Sequence, residues 1–254
     1  EILGFLNEPL EDLCITRPRS RLNWGIDYPG SKDHVVYVWF DALINYVSGV
    51  GYSVDGNKFS KYWPADIHMV GKDILRHHAV YWPIMLKAIG VEMPRTVLAH
   101  GWWTMAGAKV SKSRGNAVDP IELVKKYGVD AFRYFLLREV TLGLDGAFSE
   151  DLLVERFNSD LANDLGNLVL RTTSMLERYF KGRVPDIGSR PAGVETALLR
   201  KMTLSLSEKV KGAMAQFQPN LALDFIWEVV REANRFVEKT KPWALAKEKN
   251  ETEL

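Results

Sequence analysis

Ile67-His68-Met69-Val70-Gly71-Lys72-Asp73 opens with a short apolar run and ends in glycine and a polar pair, and Thr96-Val97-Leu98-Ala99-His100-Gly101 repeats the arrangement further on. Between them, residues 73–89 carry apolar side chains at the helical period. Strand, helix and strand in that order predict a parallel βαβ unit. In open parallel sheets ligands lie beyond the carboxyl ends of the strands. Gly71-Lys72-Asp73 and His100-Gly101 are therefore expected to border one crevice, and the fold class reads as α/β.

Upstream, His34-Val35-Val36-Tyr37-Val38-Trp39-Phe40 is β-branched and aromatic and follows Gly30 and Asp33. It reads as a buried strand, with Asp41-Ala42-Leu43-Ile44-Asn45-Tyr46-Val47 turning away as a helix. Downstream, Asp119-Pro120 is a helix-start pair, and from there the sequence turns wholly helical. Gly128 reads as a stop between a helix built on Ile121, Leu123, Val124 and Tyr127 and another over 130–137. Apolar residues at Phe157, Leu161, Leu165, Leu168, Met175 and Tyr179 predict one long amphipathic helix over 149–180. A Gly- and Pro-rich loop at 181–193 and helices at about 194–215 and 220–240 follow, the second with Asn220 as its expected N-cap. Lys241-Pro242 closes it, since proline cannot extend a helical ladder. The expected architecture is half an α/β domain followed by a helical bundle, with no internal repeat.

At 254 residues and 46% hydrophobic content, the chain is long enough for one large domain or two modest ones with a real core. Lysine and arginine number 33 against 32 acidic residues. Net charge thus gives no sign of a nucleic-acid partner, and any such contact must come from local placement of charge. Cys14 is the single cysteine, which excludes an internal disulfide and a cysteine-rich zinc site within the chain. No metal site is assigned, and a reducing, cytoplasmic setting is expected. No stretch approaches the ~20 apolar residues of a membrane span, and the start at Glu1 lacks the basic and apolar regions of a signal peptide. No membrane partner is expected.

Lys109-Val110-Ser111-Lys112-Ser113-Arg114-Gly115-Asn116 places two lysines among small residues, between the run ending at His100-Gly101-Trp102-Trp103 and the helix start at Asp119. Both lysines are expected on a connection able to close over a triphosphate; the same string also reads as a solvated basic turn. Trp39, Tyr46, Ile74, His78 and Trp82 fall at two points of the chain that the βαβ reading brings together, and polarizable aromatic walls suit a thioether. Taken singly, Trp39 reads also as core and His78 as a satisfied structural histidine. Asp73, just past Gly71, suits ribose hydroxyls or a helix cap. Asn163, Asn167 and Arg171, spaced four apart, share one helix face, largely off the stripe through Leu161, Leu165 and Leu168. Amides and a guanidinium there, with Trp243 as a stacking ring, suit unstacked bases. The other reading packs the asparagines against a neighbouring helix and uses Trp243 to plug the bundle end.

Tyr37-Val38-Trp39-Phe40-Asp41-Ala42, then Gly71-Lys72-Asp73-Ile74 with His78 and Trp82-Pro83, then the lysine string, then Asn163, Asn167, Arg171 and Trp243 follow one another in the order of a known family. From about Asp12 onward the chain resembles the methionyl-tRNA synthetases. The string at 109–113 resembles the Lys-Met-Ser-Lys-Ser signature of class I aminoacyl-tRNA synthetases, with Val110 in the second position. The resemblance implies the second half of a Rossmann-like nucleotide-binding fold with the lysine loop over 1–118, a stem-contact helical segment over 119–150, and an α-helical anticodon-binding domain over 151–254. It implies methionine–tRNA ligase activity, in which L-methionine and ATP with Mg²⁺ give methionyl-adenylate and pyrophosphate, and the methionyl group passes to tRNA(Met). By the same resemblance Lys109 and Lys112 are catalytic, and Asp73, His100, Gly101, Ser111 and Lys112 bind ATP. Trp39, Ala42, Tyr46, Ile74, His78 and Trp82 correspond to the methionine pocket, and Asn163, Asn167, Arg171 and Trp243 to the anticodon contacts. Arg17 and Asp27 align with positions that face the active site.

Ala42-Leu43 stands where some members carry Ala-Pro, so a reshaped wall is expected there. The family's first nucleotide-fold half, with its His-x-Gly-His-type motif, and its inserted, often zinc-binding domain find no counterpart in these residues. Zinc is expected only in that part, the bundle is expected to continue beyond Trp243, and the chain alone is expected to be inactive. Two other readings are a non-catalytic tRNA-binding module working with a partner chain, and a class I synthetase for leucine, isoleucine, valine or cysteine.

Overall fold

The computed structural model describes residues 1–9, 11–105, 108–109, 118–185 and 193–247. The chain divides into two compact units, Glu1–His100 and Gly101–Leu254. The first holds α1 (Ile2–Leu6), an antiparallel pair β1 (Thr16–Pro18) and β2 (His34–Val36), then α2 (Val38–Ser48) and α3 (Gly56–Tyr62). After these come β3 (His68–Gly71), a 3-10 turn (Lys72–Ile74), a π-helical turn (His77–Tyr81), α4 (Trp82–Ala88) and β4 (Val97–His100). β3 and β4 pair in parallel, with Gly71 opposite His100 at their carboxyl ends, so the βαβ unit is as expected. Its core joins Leu43 and Val47 of α2 to Trp63, Trp82 and Leu86.

Two expectations in this unit are corrected. The run at 34–40 is not one strand: β2 stops at Val36 and α2 begins at Val38. Short apolar runs fit either element, and here Trp39, Leu43, Tyr46 and Val47 recur at the helical period and face the core. Residues 73–89 form three kinds of helical turn in succession rather than one α-helix. Pro83 near the start of α4 has no N–H to give the carbonyl of Ala79, which interrupts the α ladder where the wider π turn lies.

The second unit begins with β5 (Trp103–Met105), paired antiparallel with β6 (Ala108–Lys109) and parallel with β7 (Gly146–Ala147). α5 (Pro120–Tyr127) is capped by the Asp119 carboxylate, which accepts from Ile121 N at 2.8 Å, and is ended by Gly128 at φ 87°. α6 (Val129–Glu139) follows. Then come α7 (Glu150–Arg156), a π-helical segment (Phe157–Gly166) and α8 (Asn167–Phe180). The expected long helix over 149–180 is present, with a π-helical interior. β7 overturns the expectation of a wholly helical second part: two residues are too few to show a period, and buried Gly146 is packed so tightly that a Cβ would overlap Val140.

α9 (Val194–Ala215) and α10 (Pro219–Thr240) form a helical hairpin, and α11 (Pro242–Lys247) follows Lys241, which turns the chain at φ 44°. The N-cap of α10 is Gln218, not Asn220. Pro219 fits the first turn because its missing N–H would have no helical partner there, and Asn220 instead donates to Thr141 Oγ1 at 3.0 Å. Two clusters hold this unit together. The apolar one joins Leu123, Phe135, Phe148 and Leu153, with Trp103 stacked on Phe135. The polar one surrounds Asp160, 5% exposed, which accepts from the Tyr134 hydroxyl at 2.6 Å and lies 3.4 Å from Arg138 and 3.6 Å from Arg156. Arg138 also pairs with Asp224 at 2.8 Å, and Arg156 with Glu139 at 2.9 Å.

Candidate functional site

α2 presents Trp39, Ala42 and Tyr46 on one face, at spacings of three and four. The turns after β3 supply Ile74 and His78, and α4 begins with Trp82. Four of these six residues are drawn into a single aromatic–histidine cluster. Trp82 is fully buried and His78 is 4% exposed. His78 Nδ1 lies 2.9 Å from the Ile74 carbonyl, and Nε2 lies 2.8 Å from the Tyr46 hydroxyl. A carbonyl only accepts, so neutral His78 carries its proton on Nδ1, and Tyr46 donates to Nε2. The Tyr46 ring lies 5.9 Å from Trp82, and burial raises its phenol pKa above the usual value.

Trp39 packs against the edge of this core and donates from Nε1 to the Cys14 carbonyl at 3.1 Å. Its ring is flanked by His77 and Tyr81, each at 5.6 Å. Ala42 and Ile74 are exposed. Leu43, at the departure from Ala-Pro, turns into the core with Val47 and Trp82. His78 is thus a satisfied, buried histidine, as its structural reading has it.

Sequence reasoning passed over three members of the cluster. His68, 5% exposed, lies 4.3 Å from the Tyr46 ring and 6.2 Å from His78, and its Nε2 accepts the Trp82 indole N–H at 3.2 Å. Burial first, then the positive charge His78 can carry, holds its pKa below the ordinary 6.5, and the same causes depress His77. His77 Nδ1 is buried without a hydrogen-bond partner. The signal for His68 was the alternation along β3, where His68 and Val70 are buried and Met69 between them is exposed. Tyr81 sits three residues beyond His78 in the same helical turns. A hollow of about 380 Å³ between Tyr52, Phe59, Trp63 and Val91 contains none of the candidate site residues.

At the carboxyl ends of β3 and β4 the Asp73 carboxylate folds back over Gly71. A Cβ there would lie 2.6 Å from Asp73 Oδ1 and 3.9 Å from His100 Cε1. Asp73, expected on the ribose side, and His100, expected on the adenine side, thus lie at the same strand ends. Asp73 lies inside the 3-10 turn, whose N-cap is Gly71, so it is not the cap of that turn. Arg17 stacks over Tyr37 at 3.7 Å, and Asp27 pairs with Arg19.

In the second unit, Gly101 is placed so that a Cβ would overlap the Leu144 carbonyl, which accounts for a glycine by close backbone approach. Lys109, expected on a connection, has its backbone in β6 opposite Thr104. Ser111 and Lys112 lie outside the described residues. At the other end of the unit Arg171 pairs with Glu238 at 2.8 Å and lies 5.7 Å above the Trp243 ring. Asn163 and Asn167 are both exposed, which removes the reading that packs them against a helix. Asn167 and Arg171 sit one α turn apart, whereas Asn163 belongs to the π-helical segment, so strict four-residue stacking holds for the second pair only.

Among the described residues no group of three or more His, Cys, Asp or Glu is gathered to hold a metal ion. No helix among them is long and apolar enough to cross a membrane.

The family described as tRNA synthetases class I (M) matches residues 1–173. The methionine–tRNA ligase of Caldanaerobacter subterraneus subsp. tengcongensis is 49% identical over 251 residues, which are 98% of this chain and 39% of that protein. Methionine–tRNA ligase 1 of Bacillus cereus is 45% identical over 253 residues, 99% of this chain and 38% of that protein. Among solved structures, Mycobacterium tuberculosis methionyl-tRNA synthetase bound by methionyl-adenylate superimposes with a TM-score of 0.86 at 43% identity, covering 99% of this chain and 49% of that one. The chain therefore spans well under half the length of the curated relatives it matches.

Proposed function

Since the chain belongs to the class I tRNA synthetases (M), we propose that it is part of a methionine–tRNA ligase, contributing the second half of the nucleotide fold and the anticodon-reading helices. The substrates are L-methionine, ATP as its Mg²⁺ complex and tRNA(Met). In this reading residues 1–118 belong to the catalytic domain, 119–150 to a connecting segment and 151–254 to the anticodon-binding domain. The observation that carries it is the aromatic–histidine cluster of Tyr46, His78 and Trp82, which α2 and the turns after β3 bring together beside the exposed Ala42 and Ile74 of the same elements. Such a wall is polarizable, which suits a thioether.

Activation joins the methionine carboxylate to the α-phosphorus of ATP and expels pyrophosphate. Negative charge grows on the leaving group, and ammonium groups at Lys109 and Lys112 stabilise that charge more than they stabilise ground-state ATP. Asp73 accepts from ribose hydroxyls, and His100 with Gly101 borders the adenine. Ser111 holds the lysine loop against the nucleotide. At the helical end, exposed Asn163 and Asn167 offer amides to base edges, and Arg171 with Trp243 forms a stacking platform.

The test is binding of the chain to anticodon stem-loops carrying CAU or CAC, at one salt concentration, since phosphate contacts depend on salt and are blind to sequence. The expected result is a CAU preference of about tenfold, the worth of one well-made polar contact, lost in Trp243→Ala. Equal binding of both loops by the folded chain overturns the anticodon assignment.

A further inference from the structure

The reading above uses Trp82 and Tyr46 as walls but leaves open what holds them. Neither side chain is fixed by packing alone. The Trp82 indole N–H, inside a fully buried residue, needs an acceptor, because a buried donor left without one is costly. It has one in His68 Nε2, at 3.2 Å. The Tyr46 ring lies tilted against the same imidazole, with centroids 4.3 Å apart, while its hydroxyl is bound to His78. His68 begins β3, the first strand of the βαβ unit, and its backbone N–H is tied to the Thr96 carbonyl at 2.8 Å. One imidazole on a rigid strand thus touches two walls that come from two different helices.

We infer that His68 is a positioning residue for the amino-acid pocket, acting through Trp82 and Tyr46 as a neutral hydrogen-bond acceptor. The inference rests on the methionine-site reading proposed above. Acceptance from the indole fixes the His68 tautomer, with Nε2 unprotonated and any proton on Nδ1. A protonated His68 would present a donor to a donor, and the indole would have to turn away. The titratable groups that face the ring are Tyr46 on α2 and His78 on the π-helical turn; its other ring neighbours, Trp63 and Trp82, carry no charge. No described contact of the ring is with a carboxylate that would stabilise the cation. Burial and His78 both favour the neutral form.

The experiment measures methionine-dependent ATP–pyrophosphate exchange in the protein that carries this chain, comparing the natural residue with His68→Leu and His68→Gln. Leucine fills the space and accepts nothing, whereas glutamine keeps an acceptor oxygen and does not titrate. His68→Leu is expected to raise the KM for methionine about tenfold, with kcat and the KM for ATP nearly unchanged. His68→Gln is expected to restore the methionine KM to within about threefold. It should also flatten the part of the rise in methionine KM below pH 6.5 that the natural protein shows and His68→Gln does not.

An unchanged methionine KM in His68→Leu, or equal KM values in the two variants, overturns the positioning role. If His68→Leu does not fold, the His68→Gln pH profile decides: a profile identical to the natural one overturns it. Exchange that does not respond to methionine at all, in the natural protein, overturns instead the reading on which the inference stands.

Discussion

The two units solve the burial of polar groups in opposite ways. All five histidines, at positions 34, 68, 77, 78 and 100, lie in the first unit, and the second has none. The first buries neutral imidazoles among tryptophan and tyrosine rings, each hydrogen bond joining uncharged partners. The second buries charge outright, with Asp160 held between Tyr134, Arg138 and Arg156, and Asp224 and Glu139 closing the outer sides. A neutral cluster can leave one side open for an uncharged ligand group. A charged one must be closed by its own counter-charges, because an unpaired buried ion costs several kcal/mol. The first arrangement suits a pocket, and the second suits a rigid joint between α6, α7 and α10.

The sharpest way to break the contrast is to remove its most buried ring. Trp82→Ala is expected to destabilise the first unit by about 3–5 kcal/mol, since a large aromatic with no exposed surface leaves a cavity. Residue-resolved hydrogen exchange checks it: protection should fall across residues 35–100 and persist across 119–180. Equal loss in both regions would show that the units are not separate in stability. The counterpart in the second unit is Asp160→Ala, which leaves Arg138 and Arg156 facing one another near Tyr134 without the shared carboxylate. A loss of about 3 kcal/mol in urea unfolding is expected, with protection falling on the helices of the second unit alone. A neutral result would make the network a surface feature.

The smallest effect is the one that best sharpens the comparison. His68 and His77 titrate below 6.5 in the folded chain, so between 6.5 and their folded pKa values the unfolded chain binds protons that the folded chain does not. Stability of the first unit is therefore full above pH 6.5 and declines as pH falls below it. In the second unit the Glu150 carboxylate, held below its ordinary 4.5 by hydrogen bonds from Lys126 and Tyr127, contributes above that value and is lost only as pH falls further. Hydrogen exchange at pH 7 and pH 5.5 should show lowered protection in the first unit and little change in the second. Parallel losses would contradict the assignment of the acid response to the buried histidines.

Much of this was legible in the sequence, and particular residues say why. Helix α9 ran over 194–215 as read, and α10 began one residue before the reading, because long periodic stretches bounded by glycine or proline leave little choice. Gly71 and His100 were expected at neighbouring strand ends, and they are paired there, because two apolar runs flanking a helical stretch have one favoured handed connection. The run at 34–40 was misread, since its seven residues satisfy a strand as well as a helix, and only the core against which Trp39, Leu43 and Val47 pack selects between them.

The sequence by itself determined the parallel βαβ unit, the longer helices and their order, and the family to which the spaced motifs point. Tertiary structure alone decided the partners of side chains far apart in the chain: that His68 takes the Trp82 N–H, that Tyr46 donates to His78, and that Arg171 comes over Trp243. The reason is physical. Periodicity and turn chemistry act between residues a few positions apart and are written in local sequence. A hydrogen bond across 14 or 32 positions depends on how strand and helices pack, and one buried polar residue in a strand reads no differently from its neighbours until that packing is known.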